Sequence, residues 1–178
     1  IITGVQTLIT LPYGIGSFIM GGLYAVTVVA GIHHMYTLID LGQLARYGYT
    51  YWLPLASAAN VAQGGAALAV ALKSKDTKVK SMALPSALSA CMGITEPAIF
   101  GVNLRYFKPF IGGLLGGACG AWYASIVWLG ATGTGVTGIF GILLHLHMPL
   151  QYIIMMAISF GVSFAVTWAI WSPEEVKA

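Results

Sequence analysis

A single carboxylate interrupts a long apolar stretch of the sequence. Glu96 lies inside residues 81–104, a segment that holds Pro85 and Pro97 and no other charged side chain. An ionised carboxylate in hydrocarbon is costly and normally faces a cavity with a polar partner. Pro97 also removes a backbone donor beside Glu96 and opens the helical hydrogen bonding there. The sequence therefore predicts that Glu96 binds a substrate or a proton. The alternative is a glutamate that only stabilises this segment, paired with Arg105.

Two adjacent histidines, His33 and His34, close the first apolar run. Neighbouring residues of a helix point about 100° apart, so only one of the two imidazoles easily faces a shared pocket. Imidazole changes its charge near neutral pH and can move protons; the alternative is an interfacial pair with no ligand. No third soft ligand stands at a suitable spacing, so neither a metal nor a cofactor is expected.

Three amides lie in otherwise apolar runs: Asn60, Gln63 and Asn103. They either form hydrogen bonds between helices or contact a polyol ligand. With Thr95 beside Glu96, the candidate site offers hydroxyls, amides, imidazole and one carboxylate. That set suits a neutral, hydroxyl-rich solute, whereas an ion channel is expected to show rings of charge or a carbonyl filter.

The composition places these residues in a membrane protein. Of the 178 residues, 58% are hydrophobic and 7% are charged, whereas soluble domains average about 25% charged residues. Such a chain is excluded from the nucleic-acid-binding classes, and a lipid bilayer is its expected surroundings. A membrane-spanning helix needs roughly 20 apolar residues. The sequence predicts an all-α polytopic protein with four apolar spans, at residues 11–32, 53–72, 109–129 and 150–171.

Two segments do not fit simple spans. Residues 81–104 lie between basic clusters at 73–80 and 105–108, and both clusters are cytoplasmic by the positive-inside rule. The segment must then enter the membrane and return, as a broken, re-entrant hairpin that lines a cavity. The glycine-rich residues 131–149 are predicted to be a second re-entrant piece.

Residues 34–47 carry a polar side chain at every third position. This spacing predicts an amphipathic helix at an interface or over a polar cavity. The aromatic residues that follow, from Tyr47 to Trp52, are typical of headgroup depth.

Five motifs stand out in the sequence: GITEPAIFGVNLR at 93–105, GIHH at 31–34, AANVAQG at 58–64, YTLIDLGQL at 36–44 and GTGVTGIFG at 133–141. In these motifs the sequence resembles the membrane (IIC) component of the bacterial phosphoenolpyruvate-dependent sugar phosphotransferase system. Within its glucose superfamily it is similar to the sucrose, trehalose and β-glucoside group, and most similar to sucrose permeases.

This resemblance implies an architecture and partners. Residues 1–171 would be most of the C-terminal, sugar-binding domain of a IIC component, and residues 172–178 a cytoplasmic tail or linker. The N-terminal scaffold, through which the family forms homodimers, would be missing. The resemblance further implies a disaccharide substrate, IIB and IIA phosphocarrier domains as partners, and location in the bacterial cell membrane.

The resemblance also implies residue roles. Glu96 and His33 match the family's sugar-binding glutamate and histidine, and both would act in phosphorylation by a IIB phosphocysteine. Ala25 stands where several relatives have an arginine, so that contact is not carried over. Neither Cys91 nor Cys119 is expected to carry phosphate. From the residues alone, two alternatives stay open: a proton- or sodium-coupled secondary transporter, and a sugar-binding scaffold or sensor.

Overall fold

The computed structural model describes residues 14–173, and this part of the chain is helical. The six principal α-helices, in chain order, are α1 (Ile15–Val29), α2 (Thr37–Tyr47), α3 (Trp52–Lys73), α4 (Thr77–Cys91), α5 (Lys108–Ile126) and α6 (Pro149–Ile170). Two 3-10 helices, His33–Tyr36 and Gly138–Leu144, join them. Between residues 14 and 173 the β pairing consists of one isolated bridge, Thr50 with Ala131. The predicted all-helical class is therefore confirmed.

Helix α3 is the centre of the bundle. It packs against α1, α4, α5 and α6, and its most apolar 18-residue window is 89% buried. Such contact on every side is possible because alanine, glycine and serine make up much of α3, so neighbouring backbones approach closely. The predicted span at 53–72 is thus a continuous helix, and it carries Asn60 and Gln63 into the interior.

The glycines of α5 form the close contact that their four-residue spacing predicts. A Cβ atom on Gly116 would lie 2.5 Å from the carbonyl oxygen of Ser159 and 2.5 Å from Cβ of Ser163. Helix α6 presents small polar side chains to this face, and Ser163 donates a hydrogen bond to the carbonyl oxygen of Ala62. Helices α3, α5 and α6 therefore pack with their backbones close together.

Residues 77–106 form a helical hairpin. Its first leg is α4, and its second leg runs through Glu96–Ala98, a π-helical turn at Ile99–Asn103, and Leu104–Tyr106. The chain reverses at Gly93, whose φ is +101°, and the second leg ends at Phe107, whose φ is +57°. The predicted broken hairpin is present and begins at Thr77, because Asp76 caps α4 by accepting a hydrogen bond from the backbone N–H of Lys78 at 2.8 Å. Its entry into a membrane from one side stays a prediction.

The glycine-rich segment between α5 and α6 has no α-helix. The 3-10 helix Gly138–Leu144 is its longest regular element, and Tyr152 fixes the start of that helix by donating a hydrogen bond to the carbonyl oxygen of Gly138 at 2.6 Å. The segment lies against the tip of the hairpin, where a Cβ atom on Gly138 would be 2.2 Å from the carbonyl oxygen of Cys91. Its predicted re-entry into a membrane is likewise untested.

Two helices among the described residues are long and apolar enough to cross a membrane: α3 and α6. They correspond to two of the four predicted spans. Helix α1 has 15 residues and α5 has 19, and residues 11–13 of the first predicted span lie outside the described part. That the chain crosses a membrane several times therefore stays a prediction. The boundary between the membrane domain and the tail at residue 171 also stays a prediction, since residues 174–178 lie outside the described part of the chain.

Candidate functional site

A cavity of about 130 Å³ lies where the N-terminal part of the bundle meets the glycine-rich segment. Its walls come from α1, the 3-10 helix His33–Tyr36, α2, the start of α3 and the loop before Gly138. Both histidines line it, together with Tyr24, Trp52 and other residues described below. Elements that are distant in the sequence thus contribute to one small space.

Glu96 and His33 lie side by side at this cavity. Their Oε1 and Nε2 atoms are 3.8 Å apart, and the side chains are 48% and 16% exposed, respectively. Glu96 begins the second leg of the hairpin, directly after the turn at Gly93, so the break in the helix presents the carboxylate at the tip. The structure therefore brings together the two residues predicted to be catalytic.

The environment of His33 favours the neutral imidazole. Burial lowers the pKa of His33, the adjacent His34 lowers it further, and the Glu96 carboxylate acts in the opposite direction. The rings of His33 and His34 are 4.0 Å apart between centroids. The second ring nitrogen of His33, Nδ1, is buried and has no hydrogen-bond partner within residues 14–173. A neutral His33 can both donate and accept hydrogen bonds.

Asn60 and Thr95 hold neighbouring residues in place by hydrogen bonds. Asn60 is 6% exposed and donates from Nδ2 to Oγ1 of Thr137 at 2.9 Å, which fastens a residue that lines the cavity. Thr95 is buried, and its carbonyl oxygen accepts a hydrogen bond from the N–H of Ile99 at 2.8 Å, so it anchors the start of the second leg. Neither is among the residues that line the cavity.

Gln63 and Asn103 are not brought to the cavity. Both are almost fully buried, and Nδ2 of Asn103 donates to Oε1 of Gln63 at 2.7 Å and to its carbonyl oxygen at 3.0 Å. These bonds join the second leg of the hairpin to α3. The geometry corresponds to the helix–helix alternative for these amides, and their role as sugar contacts stays a prediction that this placement does not favour.

Three aromatic rings form one wall of the cavity. Tyr36 and Trp52 have centroids 4.6 Å apart, and Tyr24 lies 5.8 Å from Tyr36 and 6.4 Å from Trp52. Trp52 is 2% exposed and packs in the core, and the placement of residues 47–52 at headgroup depth stays a prediction. Tyr36 was not predicted from the sequence to be a residue of the cavity. The helical period was the available signal, since Tyr36 precedes Asp40 by four residues and so shares its helical face.

Residues 1–117 match the family described as phosphotransferase system, EIIC. The chain belongs to this family.

Relatives of this EIIC chain carry names that specify sugars. It is 47% identical over 165 residues to a protein named PTS system sucrose-specific EIIBC component from Salmonella typhimurium, covering 91% of this chain and 36% of that protein. It is 48% identical over 141 residues to the Bacillus subtilis protein of the same name, covering 77% and 31%. A trehalose-specific EIIBC component of Bacillus subtilis is 40% identical over 157 residues, covering 87% and 33%.

The EIIC chain spans about a third of the length of these curated relatives. No solved structure gives a significant match to it.

Proposed function

We propose that this EIIC chain is the sugar-binding part of a sucrose permease of the phosphotransferase system. The single observation that carries the proposal is the pairing of Glu96 with His33 at a cavity bounded by Tyr36 and Trp52. A carboxylate accepts hydrogen bonds from sugar hydroxyls, and the aromatic rings offer apolar faces to a sugar ring. The names of the relatives at 47% and 48% identity support sucrose as the cargo.

Glu96 and His33 orient the hydroxyl that is to be phosphorylated. The phosphoryl group passes from the cysteine sulfur of a IIB domain to that hydroxyl oxygen, the S–P bond breaks, and Glu96 or His33 takes the hydroxyl proton as general base. Because the neighbouring acceptor and donor are in place before the phosphocysteine arrives, positioning contributes to the rate.

The charge added by phosphorylation explains why the phosphorylated sugar is released. Phosphorylation adds nearly two negative charges to the sugar at neutral pH. The Glu96 carboxylate lies beside the cavity, 3.8 Å from His33 in its lining, and burial lowers the pKa of this histidine and favours its neutral form. A phosphorylated sugar therefore binds less well than the sugar itself and leaves on the side where the IIB domain acts.

The rest of the permease completes the site. Pockets for drug-sized ligands are about 300–1,000 Å³, and the cavity here measures about 130 Å³. Half-exposed Glu96 lies at its side, so further walls come from the two thirds of the protein that this chain does not span. The complete protein is then a multi-pass permease of the bacterial cell membrane, a homodimer through its scaffold, and the partner of a IIB domain that receives its phosphoryl group from IIA.

The decisive experiment replaces Glu96 in the full-length protein. We expect Glu96→Gln to weaken sucrose binding by about tenfold or more and to abolish phosphorylation, because a charge-assisted hydrogen bond and a candidate base are both lost. Asp76→Asn is the matched control, since Asp76 lies at the N-terminus of α4 and asparagine caps helices equally well. If Glu96→Gln retains both sucrose affinity and phosphorylation rate, this role is wrong.

Trehalose and β-glucosides are the second candidate cargo, favoured by the relatives with those names at 40% and 41% identity. A thermal-shift panel of sucrose, trehalose, maltose and a β-glucoside separates these sugars. Uptake in vesicles that depends on phosphoenolpyruvate and delivers sugar phosphate supports the proposal. Uptake that depends only on a proton gradient identifies a secondary transporter instead.

A further inference from the structure

Asp40 is a second carboxyl group in the wall of the cavity. It lies on α2, is 4% exposed, and follows Tyr36 by four residues, so both side chains reach the same space. Its Oδ1 accepts a hydrogen bond from Oγ1 of Thr50 at 2.6 Å, and its Oδ2 accepts one from Oγ1 of Thr134 at 3.1 Å. Asp40 lies in the motif at 36–44, but neither the mechanism above nor the roles that the resemblance implies assign it a function.

The carboxyl group of Asp40 lacks a positive partner. Among residues 14–173, the contact of a carboxylate with a basic side chain is that of Glu96 with His33 at 3.8 Å, and no lysine, arginine or histidine pairs with Asp40. A buried carboxylate without a cation depends on hydrogen-bond donors for its stability. A carboxylate has about four acceptor positions, and Asp40 uses two of them for threonine hydroxyls. Burial raises its pKa, while the two hydroxyls act in the opposite direction.

The two donors differ in how firmly they are held. Thr50 is fully buried, and its backbone N–H and carbonyl both bond to Ala131, at 2.9 and 2.8 Å. Thr134 is partly exposed and lies between Gly133 and Gly135. Gly135 has a φ of +96° and open space around it. The Thr134 hydroxyl is therefore the donor that an entering ligand can replace.

We propose that Asp40 is a specificity-determining residue of the sugar site, and that a hydroxyl of the bound sugar replaces Thr134 as the donor to Oδ2 of Asp40. The sugar ring that carries this hydroxyl lies along Tyr36 and Trp52, beside the Glu96–His33 pair. This inference rests on the proposed function. On binding, Thr134 moves away from Asp40, and the glycines on either side of it allow that movement.

The test compares Asp40→Asn with Thr134→Val in the full-length protein at pH 7.5, with sucrose binding measured by calorimetry. Asparagine places an amide N–H where the sugar hydroxyl needs an acceptor, so we expect affinity to fall by about tenfold or more. Valine has the shape of threonine without its hydroxyl, so Thr134→Val removes the competing donor, and we expect the affinity for sucrose to rise. If both variants weaken binding to a similar extent, Asp40 only fastens the loop and the inference is overturned.

A second measurement does not depend on how Asp40→Asn folds. Monodeoxy derivatives of sucrose, each lacking one hydroxyl, are measured on the wild-type protein and on Thr134→Val. One derivative lacks the hydroxyl that binds Asp40, and its affinity for the wild-type protein is lower than that of sucrose. Thr134→Val raises the affinity for sucrose but does not raise the affinity for this derivative. If every derivative responds to Thr134→Val as sucrose does, the inference is wrong.

The two proposals fail in different ways. If no disaccharide of the panel binds the wild-type protein, the proposed function itself is wrong. If sucrose binds and Glu96→Gln weakens it, while Asp40→Asn leaves the affinity unchanged, only the role of Asp40 is overturned.

Discussion

Replacing Asn103 with leucine tests whether the buried amide pair holds the hairpin or contacts the sugar. Leucine has nearly the same size as asparagine but donates no hydrogen bond, so the variant removes both bonds from Nδ2 of Asn103 to Gln63. The carbonyl oxygen of Gln63 still accepts its helical bond within α3, so one acceptor, Oε1 of Gln63, is left without its donor.

The expected loss follows from that orphaned acceptor, and it is partly offset because leucine also removes Oδ1 of Asn103, which is buried without a partner among the described residues. A buried polar group without a partner costs about 1–3 kcal/mol, and both residues are at most 1% exposed. Double-mutant cycles between membrane helices average about 0.6 kcal/mol, which places the expectation near the lower end of that range. We therefore expect Asn103→Leu to lower the free energy of unfolding by about 1–2 kcal/mol. The double variant with Gln63→Leu should recover most of this loss, because removing both partners is nearly neutral.

The assay measures chemical unfolding in detergent and sucrose affinity on the same preparations of the full-length protein. Asn103→Leu should change affinity by less than about threefold, since the pair lies away from the cavity. Glu96→Gln serves as the opposite case, with affinity lost and stability retained. A tenfold loss of sucrose affinity with unchanged unfolding in Asn103→Leu would refute this reasoning and restore Asn103 as a sugar contact.

Gly116→Ala should destabilise the protein by about 1–3 kcal/mol, because its new methyl group would press on the α6 backbone at Ser159. Gly161→Ala on α6 is the control and should be neutral or stabilising in chemical unfolding, since open space surrounds Gly161; equal losses in the two variants would contradict this helix contact. Burial lowers the pKa of His145 to about 4, although the hydrogen bond between its ring and the carbonyl oxygen of Gly141 acts in the opposite direction. The folded state therefore binds fewer protons than the unfolded state between pH 6.5 and 4. Stability should fall by roughly 3 kcal/mol as the pH drops through this range, and a His145→Gln variant that loses as much on acidification would show that other groups are responsible.

The sequence predicted the elements whose signal is local. Uninterrupted apolar runs indicated α3 and α6, and the basic clusters on both sides of residues 81–104 indicated a hairpin, where the structure has a helical hairpin at residues 77–106. The proximity of Glu96 and His33, which are 63 positions apart, came from the resemblance rather than from any pattern in the residues themselves.

What the sequence left open depends on contacts between distant segments. An amide in an apolar run looks the same whether it bonds a ligand or another helix, so Gln63 and Asn103 stayed ambiguous until the structure paired them. Helix α2 was predicted as amphipathic, and the sequence left open whether its polar side faces an interface or a polar cavity. Asp40 and Gln43 on that side are buried, while Leu38 is 68% exposed. Asp40 was not singled out because the period of the polar residues does not show which of them is buried.

The hairpin tip lies in close contact with the loop that faces it. A methyl group on Gly138 would lie 2.2 Å from the carbonyl oxygen of Cys91 and 2.8 Å from the N–H nitrogen of Gly93, and one on Gly93 would lie 2.6 Å from Oγ1 of Thr137. A side chain at either glycine would push the two segments apart, so the distance between this loop and the start of the leg that carries Glu96 depends on both glycines.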